Sequence, residues 1–222
     1  MNNSQSRTAG ARRLNPRKAP SQPRSAHTVE AILEGAAHIL EQHGLDGYTT
    51  NAIAARAGVS IGSLYQYFPT KDAVTVALIE RERTELVRDA LQALAQADRR
   101  AALRQLIEVA VRHQLRRSAL AALLDFEQHR LSALMPASGN GAAMHAALSG
   151  FVRGGHVNAM LAPELAASEL MAIISALTDA AGRRGQVDPL ALAVRIEAVV
   201  LAYLGTLSSQ PAGSDAAMQN KE

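Results

Sequence analysis

The sequence contains no cysteine and no tryptophan, and only 3% of it is aromatic. Without cysteine, disulfides, thiolate metal sites and cysteine nucleophiles are excluded. With so few aromatics, an aromatic cage for a flat or quaternary cation is not expected. No uninterrupted apolar run approaches the roughly 20 residues that span a bilayer. The N-terminus is polar and basic, without the apolar stretch of a secretory signal. These absences predict a cytoplasmic protein with no membrane span. Enzyme signatures are missing as well: there is no Gly-x-Ser-x-Gly elbow and no phosphate-binding glycine loop. Gly139-Asn140-Gly141 begins like a dinucleotide motif but lacks the third glycine and a preceding strand. Asp125 and His129, one helical turn apart, read as a surface hydrogen bond, and no Glu-x-x-His pattern supports a metal site there. The chain is read as no enzyme, with no cofactor and no metal.

What remains is helical. Hydrophobic residues make up 48% of the 222 residues, enough for a sizeable core. Apolar positions recur at helical rather than strand spacing. Charge is distributed unevenly. Residues 1–27 carry Arg7, Arg12, Arg13, Arg17, Lys18 and Arg24 and no acid, a net of +6. Residues 28–72 carry Arg56 and Lys71 against Glu30, Glu34, Glu41, Asp46 and Asp72, a net of −3. The remaining 150 residues balance, with fifteen of each sign. The basic stretch 1–27 has no apolar period and is expected to be a disordered arm. It is either a solubilising tail or an arm that reaches DNA beside a reading head.

The stretch 50–71 is the most informative. Ile53, Ala54 and Ala57 form a narrow apolar face, with Thr49 and Thr50 at the helix start. Gly58 stands where a left-handed residue stops a helix, and Val59 can plug the corner. Ser60 caps a second helix whose Leu64 and Phe68 point inward. Its outer face is left with Ile61, Gly62, Ser63, Gln66 and Tyr67. Pro69 ends it, and Thr70 caps the next helix. Small and hydrogen-bonding side chains on the second of two helices suit major-groove reading. An ordinary helical hairpin on a bundle surface would share much of this local pattern.

Residues 28–78 resemble the DNA-binding domain of TetR-type transcriptional regulators. The similarity runs through Glu41-Gln42-His43-Gly44, Gly47-Tyr48-Thr49-Thr50, Ile53-Ala54, Ala57-Gly58-Val59-Ser60, Gly62-Ser63-Leu64-Tyr65-Gln66-Tyr67-Phe68 and Lys71-Asp72-Ala73-Val74. It implies an all-α fold: an N-terminal three-helix helix-turn-helix domain and a C-terminal helical domain for ligand binding and dimerisation. It implies a repressor that binds a palindromic double-stranded operator as a homodimer and leaves it when a small-molecule effector binds. Asn51, Ile61, Gly62, Ser63 and Gln66 would then face bases. Thr50, Tyr65, Tyr67 and Lys71 would fall on phosphates, although Tyr65 can also pack its ring in the core.

The rest of the chain reads as helices near 29–43, 71–94, 98–117, 119–135, 142–152, 163–181 and 189–205, with a loop at 136–141 and a break at Gly154-Gly155. The implied boundaries are an arm at 1–27, a DNA-binding domain at 28–72, a large domain at 73–207 and a tail at 208–222. The last two helices are apolar on more than one side, which suits a dimer interface as well as burial. The resemblance places the effector within 95–182. Its pocket is expected to be mostly aliphatic, with Phe126, Met135, Phe151 and Met171 as candidate lining and Met144 and Met160 as further fillers. A modest apolar ligand is expected, with an acidic group that Arg112, His113, Arg116, Arg117 or Arg130 would pair, although a solvated face explains those residues too. The charges from Glu80 to Arg88 also read as a solvated face. The competing function is a helical protein-interaction adaptor with a vestigial helix-turn-helix.

Overall fold

The structure is a computed structural model, and it describes residues 23–132, 135, 139–155, 161–185 and 188–208. Among these residues there are nine helices and no strand: α1 (Pro23–Gly47), α2 (Thr50–Ala57), α3 (Ile61–Tyr67), α4 (Lys71–Leu94), α5 (Arg99–Arg116), α6 (Ser118–Leu131), α7 (Gly139–Arg153), α8 (Pro163–Arg183) and α9 (Pro189–Ser208). The fold is all-α, with a helix-turn-helix at its N-terminal end.

Local chemistry fixes the short elements. The Thr49 side chain accepts from the Ala52 amide, Ser60 from Ser63 and Thr70 from Ala73, so each of three successive helices starts on a hydroxyl cap. Gly58 sits at φ 68° and ends α2 in the left-handed region, where its lack of a Cβ removes the strain. Asp98 caps α5, and Asp188 accepts from the Ala191 amide at the start of α9.

Three boundaries differ from the sequence-based expectation. First, α1 begins at Pro23, inside the stretch expected to be unstructured; proline suits a first helical turn because its missing N–H is an orphan there. Gly44, at φ 60°, interrupts α1 near the expected end at His43. Second, α7 begins at Gly139, so the Gly139-Asn140-Gly141 segment is helical rather than loop. Third, one helix, Lys71–Leu94, crosses the expected division at residue 72. Residues 1–22, Pro136, Met160 and the tail from 209 lie outside the described residues.

Two cores hold the molecule. The first joins Ile32, Leu40, Tyr48, Ile53, Leu64, Phe68, Val74 and Leu78, and it also takes Leu120 and Leu124 from α6. The second joins Ala90, Ala93, Leu103, Ile107, Leu170, Ile196 and Val200. Helix α4 runs from one core into the other, and α6 closes the first core with Leu120 and Leu124. Burial of such side chains contributes about 25 cal/mol per Å² of apolar surface, so α6 is held to α1 and α4 by the same force that builds each core.

Among the described residues, helices α8 and α9 are long and apolar enough to cross a membrane by length and composition. Each buries one face in the second core, through Leu170 and Ile174 on α8 and Leu192, Ile196 and Val200 on α9. Their other faces leave Leu165, Leu190, Val194 and Val199 at 48%, 74%, 65% and 45% exposure.

Candidate nucleic-acid interface and effector cavity

Helix α3 is anchored on one side and open on the other. Leu64 and Phe68 are fully buried, whereas Ile61, Gly62, Tyr65 and Gln66 are exposed on the opposite face. The anchoring continues at the helix ends. The Ser60 and Ser63 hydroxyls lie 2.8 Å apart, and the Tyr65 hydroxyl lies 3.1 Å from Thr50 Oγ1 at the start of α2. Tyr65 is therefore outside the core, with its ring 41% exposed and its hydroxyl holding α3 to α2. Tyr67 is half-buried against the first core, Asn51 is exposed, and Thr50 and Ser63 are half-buried.

Two glycines show what the fold asks for. A Cβ added at Gly35 would lie 3.1 Å from the Ala57 amide nitrogen and 3.2 Å from Ala57 Cβ, so α1 and α2 cross where only glycine fits without adjustment. A Cβ at Gly62 would meet nothing closer than Ser60 Oγ at 3.8 Å. Packing within the chain does not require glycine at 62.

Lys71 is exposed at the start of α4, with its ammonium 5.5 Å above the Tyr48 ring. Tyr48 is buried, its hydroxyl lies 3.2 Å from Thr75 Oγ1, and burial pushes its phenol up to about 12. Thr75 donates to the Lys71 carbonyl at 3.1 Å, which fixes the backbone from which Lys71 projects.

Four of the five acids of residues 28–72 are engaged in ion pairs. Glu30 and Glu34 pair with Arg81 at 2.7 and 3.2 Å. Glu34 and Glu41 pair with Arg117 at 3.1 and 2.5 Å, and Asp72 pairs with Arg130 at 2.6 Å. Arg81 and Arg130 are shared with Glu82 and Glu127 at 2.7 and 2.5 Å, so the net charge of the segment is only partly offset. Arg117 and Arg130 tie the large domain to α1 and to the first turn of α4. Arg116 likewise pairs with Glu85 and Glu82. The Glu80–Arg88 face is partly enclosed too, with the Arg81 and Glu82 side chains only 12% and 14% exposed. The hydrogen bonds from Arg117 hold the Glu41 carboxyl below its ordinary value, and those same bonds raise the Arg117 guanidinium.

A cavity of about 410 Å³ lies among α4, α5, α6 and α8. Ile79, Leu86, Leu120, Leu124 and Ile174 supply its aliphatic wall. Most of the rest is polar, including His113, Gln114, Arg117, Asp125, Thr178 and Asp179. This differs from the aliphatic pocket expected from composition, because the few polar residues of four helices converge there. None of Phe126, Met135, Phe151 and Met171 lines it. Phe126 is 59% exposed, and Met135 packs on the first core. Phe151 lies under Arg99 at 4.3 Å, and Met171 packs on the second core. His113 is held below its ordinary value by burial. Asp125 and His129 do not face each other as a ligand pair: His129 Nδ1 contacts the Asp125 backbone carbonyl at 2.8 Å.

Residues 32–78 match the family described as bacterial regulatory proteins, tetR family. No curated protein matches the chain by sequence. Solved structures resemble it over most of its length. The transcriptional regulator FadR from Bacillus subtilis, in complex with stearoyl-CoA, superposes with a TM-score of 0.66 at 17% identity, covering 78% of this chain and 97% of its own. A TetR-family transcriptional regulator from Streptomyces coelicolor gives 0.61 at 23% identity, covering 81% and 99%. A TetR-like transcriptional regulator from Rhodococcus sp. RHA1 gives 0.60 at 20%, covering 85% and 99%.

Proposed function

We propose that this chain, whose N-terminal domain belongs to the tetR family of bacterial regulatory proteins, is a homodimeric repressor that leaves its operator when a small molecule fills the α4–α5–α6–α8 cavity. The observation that carries the DNA-binding half is the outer face of α3. A short helix exposes Ile61 and Tyr65 to solvent, carries a glycine the fold does not need, and is rigidly anchored behind. Gln66 can bond adenine in a bidentate way, and Ile61 can touch a thymine methyl. Asn51, Gly62 and Ser63 complete the base-facing set. Thr50, Tyr65, Tyr67 and Lys71 stand around it and suit phosphate contacts, which set register rather than sequence.

The exposed apolar faces of α8 and α9 support the dimer. Leu190 and Val194, one turn apart, form a strip that would gain burial against a second copy. A two-fold dimer presents two α3 helices to half-sites about one helical turn, or a multiple of it, apart.

The release mechanism rests on α6. One side of this helix lines the cavity through Ala121, Asp125 and Gln128, while Leu120 and Leu124 sit in the DNA-proximal core. Arg117 before it holds Glu41 and Glu34 of α1, and Arg130 at its end holds Asp72 beside Lys71. A ligand that displaces α6 therefore shifts both contacts toward the reading head. The shift can be no larger than the ligand's preference for one arrangement over the other. Fluorescence anisotropy with duplex DNA flanking the protein's own gene tests the reading: saturable binding that Q66A weakens supports it. Absence of binding at low salt would favour the adaptor function instead.

A further inference from the structure

The charged groups around the cavity divide into those already satisfied and those not. Arg83 bonds Glu80 at 3.0 Å and Gln128 at 2.8 Å. Arg116 and Arg117 are committed to Glu82, Glu85, Glu34 and Glu41. Those three arginines are spent on scaffold groups, whereas Arg183 of α8 also lines the cavity, beyond ion-pair distance of any carboxylate among the described residues. Asp125 of α6 and Asp179 of α8 are different. Both line the cavity, both are half-buried, and neither has an ion pair within 4.0 Å among the described residues. Asp125 receives a side-chain hydrogen bond from Gln114, and the charges nearest the pair are His129 and Arg183, each one turn further along the same helices. Burial raises both carboxyls above the ordinary range, and Asp179 raises Asp125 further. Two carboxylates from different helices therefore line one cavity, with Arg183 in the same lining but no counter-charge at contact distance of either. A half-buried charge in that state is costly until it is paired.

The other wall sets the remainder of the ligand. Ile79, Leu86, Leu120 and Ile174 offer only aliphatic surface. Among the described residues no Phe, Tyr or Trp lines the cavity, so a quaternary ammonium would find no aromatic face there to replace its hydration. A cation that carries N–H groups would instead donate directly to the carboxylates, and charge-assisted bonds of that kind are the strong ones. The volume lies within the range of small-molecule sites.

We propose that the cavity takes a protonated primary or secondary amine with an aliphatic body, its ammonium facing Asp125 and Asp179 and its hydrocarbon against Ile79, Leu86, Leu120 and Ile174. As an effector site it rests on the regulatory reading above; as a binding site it stands on the cavity itself.

The test uses the full chain and three probes of one chain length: octylamine, octanol and octanoate. Titration calorimetry at pH 7 is expected to show octylamine binding about tenfold or more tighter than octanol, since hydrogen bonds to charged groups contribute that much, and octanoate weaker than both. The double variant D125N/D179N is expected to bind octanol as before and to lose the amine preference. Its fold is checked by an unchanged far-UV circular dichroism spectrum and a cooperative melt. Octanoate binding as tightly as octanol, an amine preference that survives the double variant, or no binding of octylamine each overturns the proposal. Anisotropy of the protein–DNA complex with octylamine is a separate arm. Selective amine binding without release of DNA supports the site and refutes its role as the effector site.

Discussion

Replacing Gly62 by alanine separates what the fold needs from what a partner needs. Gly62 lies in the first turn of α3 with helical backbone, and an added Cβ meets only Ser60 Oγ at 3.8 Å, an ordinary contact. The substitution therefore strains nothing and removes the backbone entropy that glycine loses on folding, worth about 0.5–1 kcal/mol. For a chain of this size, 1 kcal/mol moves Tm by about 2–4 °C, so G62A is expected to melt slightly higher than the wild type by scanning calorimetry. If DNA approaches that face as closely as proposed, the same methyl group holds the helix off the groove floor. Operator affinity by anisotropy is then expected to fall about tenfold or more, at least 1.4 kcal/mol. Gly35→Ala is the counter-example. Its methyl would press on the Ala57 backbone at 3.1 Å, and overpacking of that kind costs about 1–3 kcal/mol, so its melting point is expected to drop. A lower Tm for G62A would show that the fold does need the glycine, and an unchanged affinity would show that DNA does not approach it. Either result refutes the reasoning.

The other predictions use the same assays. Gln66→Ala is expected to relax base preference at one position with little change in salt dependence, whereas Lys71→Ala is expected to weaken all sequences alike and reduce the salt slope by about 1. Arg117→Ala is expected to lower stability by about 1–3 kcal/mol at pH 7, because it strips a charge-assisted pair from Glu41. The pH dependence follows from Glu41, whose folded carboxyl lies below its ordinary 4.5. Its contribution is present above pH 4.5 and lost as pH falls through the folded value, so the R117A deficit in urea melts is expected to shrink in acid. Asp125 and Asp179 carry the opposite sign, since their raised carboxyls stabilise the fold below 3.8 and lose that contribution as pH rises. Val194→Glu is expected to convert a dimer to monomer in sedimentation velocity and to weaken operator binding, as its side chain is 65% exposed on α9. Removal of residues 2–22, which hold five of the six arm cations, is expected to flatten the salt dependence and leave base preference intact.

The helix-turn-helix was legible because its determinants are local. Thr49, Ser60 and Thr70 cap within three residues, Gly58 stops one helix and Pro69 another, and Leu64 and Phe68 mark the buried side by spacing alone. The start of α1 was also written locally, in Pro23, but its basic and polar neighbours concealed it. The ion pairs between the domains left no such trace. Arg117 is 76 residues from Glu41, and nothing in its surroundings distinguishes it from Arg116 or Arg112. Composition misled about the cavity for a related reason. The segment is mainly aliphatic, yet its hydrophobic residues are consumed by the two cores, and the polar residues left over converge where four helices meet. Phe126 and Met135 were sound candidates by type, and their helix faces turned them elsewhere.

Selection of bound duplexes from a random pool by the full-length protein tests the central claim, that the outer face of α3 reads base sequence. The account predicts enrichment of an imperfect palindrome whose half-sites lie about one helical turn, or a multiple of it, apart, with base preference altered when Ile61 or Gln66 is replaced by alanine. No enriched sequence, or an enriched motif that survives both substitutions unchanged, would contradict it.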